Sequence, residues 1–250
     1  MKKLFLLLAL VGFIFTACET GGDLGDGGGG QVDDPNNPLN NKKCADNEIL
    51  YISKSCLPME LNTYDGWGAK LTSNTYENGV GRLTFNGDVI TIPEKAFYKN
   101  ELLEYIKMPN SVTKIGNYAF QNCRGLISVT IPDSVTSIGA EAFYCCSSLA
   151  SVTIPNSVTS IGSDAFRGCS SLTSITIPDS VTSIGNSAFY SCGSLKYVYC
   201  KPTTPPTGNS NMFDNNELGR KIYVPSSSLD RYKRANYWSN YAKYIVAYDF

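Results

Sequence analysis

Four cysteines recur at one spacing: Cys123, Cys146, Cys169 and Cys192 stand 23 residues apart. Thiolates bind zinc or pair as disulfides, so this row is the first place to look for chemistry. Its regularity argues against both. One cysteine per unit of a regular array gives parallel side-chain directions, which is poor disulfide geometry even at a compatible backbone distance. A zinc ion needs ligands converging from several directions rather than in single file. The row reads instead as small thiols filling an apolar slot, because free cysteine packs as a small hydrophobe. Histidine is absent from all 250 residues. That removes the commonest general base and the commonest neutral metal ligand, and excludes Ser-His-Asp, Cys-His and His-containing zinc sites. Carboxylate pairs stay open on composition, but no spacing places two together. The sequence therefore assigns no catalytic residue, no metal ligand and no cofactor, and no enzyme is expected. Cys44 and Cys56 lie outside the regular row, and both a disulfide and two free thiols are open for them. Cys145 and Cys200 have no evident partner.

The cysteines belong to a longer repeat. From Ser128 the chain reads SVTIPDSVTSIGAEAFYCCSSLA, SVTIPNSVTSIGSDAFRGCSSLT and SITIPDSVTSIGNSAFYSCGSLK, and two looser copies start at Arg82 and Tyr105. A period of this length marks a solenoid or array. Leu103, Leu126, Leu149, Leu172 and Leu195 form one apolar column, and Ile106, Val129, Val152, Ile175 and Val198 form the next. Polar and apolar residues alternate there, as in a half-buried strand. Pro109, Pro132, Pro155 and Pro178 end that strand and begin a turn. A second short extended arm ends at Gly116, Gly139, Gly162 and Gly185, and an Ala-Phe pair then packs a short helical turn onto the core. One copy cannot bury these columns alone, so the copies need each other and the ends need covering. The expected fold class is a repeat solenoid, mostly β with short helical turns.

The consensus S-V-T-I-P-x-S-V-T-S-I-G-x-x-A-F-x-x-C-x-S-L resembles the BspA-type leucine-rich repeat of bacterial surface proteins. The resemblance implies a leucine-rich repeat solenoid of 23-residue period, with five repeats over 82–196. It implies an N-terminal cap over 44–81; Asn47 to Tyr51 look like that cap, and so does the stretch Trp67 to Val89, which runs on into the first copy. It also implies a C-terminal capping region over 197–250, including Phe213 to Asn216 and Gly219 to Pro225. Some members of that family are associated with adhesion to host matrix and plasma proteins, and the family has no shared catalytic motif to carry over.

The N-terminus reads as an export signal over 1–17. Met1-Lys2-Lys3 is basic and Leu4 to Phe15 is apolar for 12 residues, too short to span a bilayer. Phe15-Thr16-Ala17-Cys18 resembles the lipobox of bacterial lipoproteins, although Phe15 replaces the usual Leu, so Cys18 is the expected lipidation site. Residues 18–43 are mostly Gly, Asp, Asn and Pro with almost nothing to bury and read as a lipid-anchored flexible linker. The localisation expected from this is an exported outer-membrane lipoprotein at the cell surface, meeting the membrane through its lipid only.

In a leucine-rich repeat the parallel strands line a concave face. The candidate ligand-binding residues there are Tyr105, Lys107, Ser128, Thr130, Ser151, Thr153, Ser174, Thr176, Tyr197 and Tyr199. The middle is a Ser/Thr field and the ends carry Tyr, a residue enriched in binding hot spots. Ser and Thr also tolerate exposed strands without any ligand. The net charge of −1 gives no footprint for nucleic acid. Residues 196–250 nevertheless hold eight Lys or Arg against four Asp or Glu. The tail is rich in aromatics, which read as a cap over the last repeat, and Ser226 to Ser228 could cap a helix starting near Leu229. The expected function is a protein-interaction or adhesion module for a host or microbial surface protein, such as an extracellular matrix protein. The alternative is a glycan-binding surface protein for nutrient capture.

Overall fold

The computed structural model describes residues 35–250. The export signal, Cys18 and most of the expected linker lie outside the described residues. Three antiparallel strands come first: β1 (Glu48–Ser53), β2 (Leu71–Glu77) and β3 (Val80–Phe85). Two-residue and longer strands then alternate: β4 (Thr91–Ile92), β5 (Leu103–Lys107), β6 (Lys114–Ile115), β7 (Ser128–Thr130), β8 (Ser137–Ile138), β9 (Ser151–Thr153), β10 (Ser160–Ile161), β11 (Ser174–Ile177), β12 (Ser183–Ile184) and β13 (Tyr197–Cys200). The chain continues through β14 (Lys221–Pro225), the short helix α1 (Leu229–Arg234) and β15 (Ile245–Tyr248).

The repeat strands form two parallel stacks. The short strands β4, β6, β8, β10 and β12 make one sheet. The longer ones make the other layer in two ladders, β5-β7-β9 and β11-β13-β14-β15, interrupted between β9 and β11. At the first repeat, β1 pairs antiparallel with both β3 and β5, so Tyr51 stands opposite Ile106.

The consensus letters have distinct structural jobs. Each serine after the proline turn donates its hydroxyl to a carbonyl of the copy before: Ser157 to Val135 at 2.6 Å and Ser180 to Val158 at 2.7 Å. The threonines two residues on do the same, Thr159 to Thr136 and Thr182 to Thr159. The Ala-Phe turns bond internally, Cys146 N–H to the Phe143 carbonyl, and also forward, Phe143 N–H to the Ala165 carbonyl at 2.7 Å. Backbone groups that the turns leave open are thus satisfied by the next copy.

The phenylalanines form one continuous spine. Phe97, Phe120, Phe143, Phe166, Phe189 and Phe213 stack with centroids 5.0–5.5 Å apart and near-parallel planes. The chain's two tryptophans end it: Trp67 packs on Phe97 at 5.7 Å and Trp238 on Phe213 at 5.9 Å, and both are fully buried. Phe213 was expected outside the five repeats. It follows Phe189 by 24 residues rather than 23, and one inserted residue hides the continuation from a fixed-period reading.

The cysteine row is buried, as the packing argument required. Each thiol donates to the carbonyl of a phenylalanine one copy back: Cys123 to Phe97 at 2.9 Å, Cys146 to Phe120 at 3.1 Å, Cys169 to Phe143 at 3.2 Å and Cys192 to Phe166 at 3.1 Å. Burial pushes the Cys123 and Cys192 thiols up to about 12. Their unfolded counterparts ionise near 9.0, so the folded state alone keeps the proton between those values. Stability from these thiols is full below about pH 9 and is lost as pH rises toward 12. Iodoacetamide at pH 8 is expected to label the exposed Cys56 in the native protein while the four stay unmodified until denaturant is added. Mass spectrometry checks this, and equal labelling of Cys56 and Cys146 in the native state would remove the cysteine row from the core.

Cys44 and Cys56 flank opposite ends of β1. Six extended residues span roughly 20 Å, beyond the ~7 Å Cα separation a disulfide permits. Both thiols are free, and Cys44 donates to the Glu48 carbonyl at 3.1 Å.

Candidate functional site

The longer strands bring the candidate residues into rows across the copies. One row runs Lys107, Thr130, Thr153 and resumes as Thr176, Tyr199, Tyr223, Val246. The next runs Tyr105, Ser128, Ser151 and resumes as Ser174, Tyr197, Lys221. Strand alternation therefore places the ten candidates in two neighbouring rows, but they are not equivalent.

Ser128 is buried at 4% exposure and is unavailable to a ligand, contrary to expectation. A side chain as short as serine, beside Tyr105 on the neighbouring strand, is easily shielded from water. Lys107 is occupied. Its ammonium donates to the carbonyls of Leu39, Asn40 and Lys42 at 3.2, 3.3 and 2.8 Å, which uses all three of its protons. The segment that supplies those carbonyls was expected to be a structureless linker up to residue 43. Instead Asn37 accepts from the Leu39 N–H at 2.9 Å, and two successive turns bury Leu39 completely. Composition missed this because the segment needs no core of its own: asparagine turns and a borrowed cation suffice. Lys107→Met is expected to release the segment, a loss of about 1.5–3 kcal/mol for hydrogen bonds to a charged group. Hydrogen exchange at the Lys42 amide, which donates to Leu39, would rise at least tenfold. Unchanged exchange would mean that Leu39 alone holds the segment.

The middle of the face presents Thr130, Ser151, Thr153, Ser174 and Thr176, half-buried or exposed. At the far end the two expected tyrosines belong to a larger aromatic cluster. Tyr199 stacks on Tyr223 at 5.0 Å and 13°, and Tyr197 lies 6.4 Å from the same ring. Tyr248 packs edge-on against Tyr199 at 5.9 Å and tilted on Tyr223 at 5.2 Å, with Phe250 beyond it at 5.0 Å. The Lys196 ammonium sits 5.2 Å from the Tyr197 ring. Burial, and then the neighbouring Tyr223, Tyr248 and Tyr197 phenols, hold the Tyr199 hydroxyl above its usual 10.0, so it is neutral at physiological pH. The cluster offers rigid contact area and neutral hydroxyls. Tyr223 and Tyr248 were missed as site residues. The available signal was Lys-Ile-Tyr-Val at 221–224, which repeats the alternation of 197–200 after the same one-residue insertion.

Of the other aromatics of the tail, Tyr237 is exposed, Tyr244 is half-buried and three are core. Tyr232, Trp238 and Tyr241 are buried, and Tyr241 packs edge-on against Phe213 at 5.5 Å. Helix α1 begins at Leu229 as expected, but no serine side chain caps it. The Ser228 hydroxyl donates to the Thr203 carbonyl at 2.7 Å instead. Among the described residues no helix is long and apolar enough to cross a membrane, and no group of three or more His, Cys, Asp or Glu is placed to hold a metal ion.

No curated protein matches the chain. A leucine-rich repeat protein of T. pallidum is 38% identical over 46% of this chain and 53% of its own, with a TM-score of 0.45. One from Bacteroides ovatus is 26% identical over 69% of this chain and 55% of its own, with a TM-score of 0.49. A leucine-rich cell surface protein from Faecalibacterium prausnitzii is 29% identical over 63% of this chain and 46% of its own, with a TM-score of 0.42. The chain thus spans about half the length of these relatives. The family model for the BspA type leucine-rich repeat region matches residues 90–219 with six copies, one more than the 23-residue period alone yields. That match covers more than half of the chain and takes in the Phe213 copy, and the chain belongs to the BspA-type leucine-rich repeat family.

Proposed function

We propose that this chain is a surface-anchored lipoprotein that binds a protein of a host or microbial surface, such as an extracellular matrix protein, through its strand face. Cys18 carries the lipid, the residues between it and the turn at Asn37 form the tether, and the strands flanking the repeats act as caps. The observation that carries the binding reading is the pair of in-register rows Thr130–Thr153 and Thr176–Tyr199–Tyr223, which place polar and phenolic side chains on successive strands of a stacked scaffold. Extended faces of stacked repeats are the surfaces such proteins use for binding. The glycan alternative has less support. Sugars stack on open aromatic faces, whereas Tyr199 and Tyr223 spend their faces on each other.

The test is binding of the chain from Glu19 onward to immobilised matrix proteins and to a glycan panel, at low and high salt. Saturable protein binding that falls at least tenfold in a Thr153→Glu, Thr176→Glu variant supports the reading. Glycan-only binding would replace it, and binding unaffected by the variant would move the site off this face. For the anchor, Cys18→Ser is expected to shift the protein from the membrane to the soluble fraction.

A further inference from the structure

The two ends of the longer-strand layer are treated differently. At one end the outermost strand is β2, which carries Thr72, Ser73, Asn74, Thr75 and Glu77 and a register shift between Leu71 and Ser73. Polar and charged side chains and irregular pairing are the usual means of keeping an edge from recruiting another strand. At the other end the outermost strand among the described residues is β15, Ile-Val-Ala-Tyr, paired with β14 through four residues in regular parallel register. It has no charge, no proline and no register shift. Val246, Ala247 and Tyr248 are exposed, with Val246 at 38% and Tyr248 at 40%. An edge of this kind is a template for one more strand.

What would sit there follows from charge and side-chain chemistry. The surrounding region, residues 196–250, has twice as many basic as acidic residues. Lys221 on β14 and Lys243 just before β15 are exposed, and Asp249 is the carboxylate next to the edge. Tyr248 and Phe250 extend the aromatic cluster outward from the same strand. We infer that the outer edge of β15 docks an extended, acidic segment of a partner protein by strand addition. Main-chain hydrogen bonds would hold the segment, and its alternate side chains would meet Tyr248 on the strand face. This goes beyond the strand-face reading, because it uses the open edge and not the Ser/Thr rows.

The probe is the peptide (Val-Glu)5, compared with (Val-Lys)5 and with a (Val-Glu)5 analogue N-methylated at alternate residues, titrated against the full-length chain in mild detergent. Saturable binding of (Val-Glu)5 is expected, at least tenfold tighter than either comparison peptide. Backbone exchange at residues 246–248 should slow on binding, and affinity should fall several-fold in Tyr248→Ala. Because the N-methylated peptide leaves the protein unaltered, its failure to bind cannot be ascribed to misfolding. The Thr153→Glu, Thr176→Glu variant should bind the peptide normally, so loss of matrix binding and loss of peptide binding are separable. Equal binding of the N-methylated peptide, no saturable binding, or protection mapping to β5–β9 overturns the inference. So does protection of residues 246–248 that depends on protein concentration alone, which would make a second copy the occupant.

Discussion

Replacing Phe143 by alanine is expected to destabilise the fold by about 3–5 kcal/mol. Phe143 is fully buried and lies between Phe120 and Phe166, both 5.1 Å away with planes within 2° and 6° of parallel. Truncation opens a cavity in the middle of the spine and removes two stacking contacts, each worth about 0.5–1.5 kcal/mol beyond burial. The cavity cannot collapse easily, because the flanking rings are fixed by the copies on either side. The stability of stacked repeats is close to a sum of unit and neighbour terms, so the loss concentrates at two interfaces in the centre. Urea denaturation should show a lower midpoint. Tyr64→Ala, at an exposed position, should stay within about 0.5 kcal/mol. A loss below about 1 kcal/mol for Phe143→Ala would mean that the spine packs loosely and that the ladders carry the stability.

Gly162→Ala is expected to be comparably damaging, by about 3 kcal/mol or more, at the upper end of what overpacking costs. A Cβ there would lie 2.5 Å from the Ala140 nitrogen and 2.5 Å from the Gly139 carbonyl carbon. Both are backbone atoms of the copy before, so no side chain can swing away. The same crowding recurs at Gly139 and Gly185, with nearest atoms at 2.7 and 2.4 Å. The Gly162 N–H donates to the Ile138 carbonyl at 2.9 Å, which is what draws the copies this close. Gly193→Ala is the matched control, since nothing lies within 4 Å of its Cβ position; it should change stability by less than about 1 kcal/mol. Similar urea midpoints for the two variants would show that neighbouring copies can move apart at Gly162.

The glycine column separates two kinds of information. Its period is plain in the sequence, and its role as the end of the short arm could be read there. Its deeper reason, the passage of the preceding copy's backbone 2.4–2.8 Å from where a Cβ would stand, exists only in the folded stack. The cysteine row is the opposite case. Period and direction alone pointed to small thiols packed in an apolar slot, and the buried thiols donating to phenylalanine carbonyls agree with that packing.

The candidate face was legible only where the period held. Thr130 lines up with Thr153, and Thr176 with Tyr199, because parallel pairing in register repeats whatever the consensus repeats. The single insertion before Phe213 ended the reading, although the Phe213 copy and Tyr223 continue the same columns. Ser128 and Lys107 were misjudged for another reason: whether an outward-pointing residue is free depends on what the rest of the chain lays beside it.

Sequence by itself determined the repeat, its hydrophobic columns, the buried thiols and the exclusion of histidine chemistry, because these follow from residue type and spacing along one axis. Tertiary structure alone decided that Asn37 to Lys42 folds onto Lys107, that Cys44 and Cys56 stand apart, that Tyr223 and Tyr248 join Tyr199, and that β15 is the outermost strand of its ladder among the described residues. Each of these depends on which distant segments meet. Such meetings are set by the packing of the whole unit and leave no periodic trace in the chain.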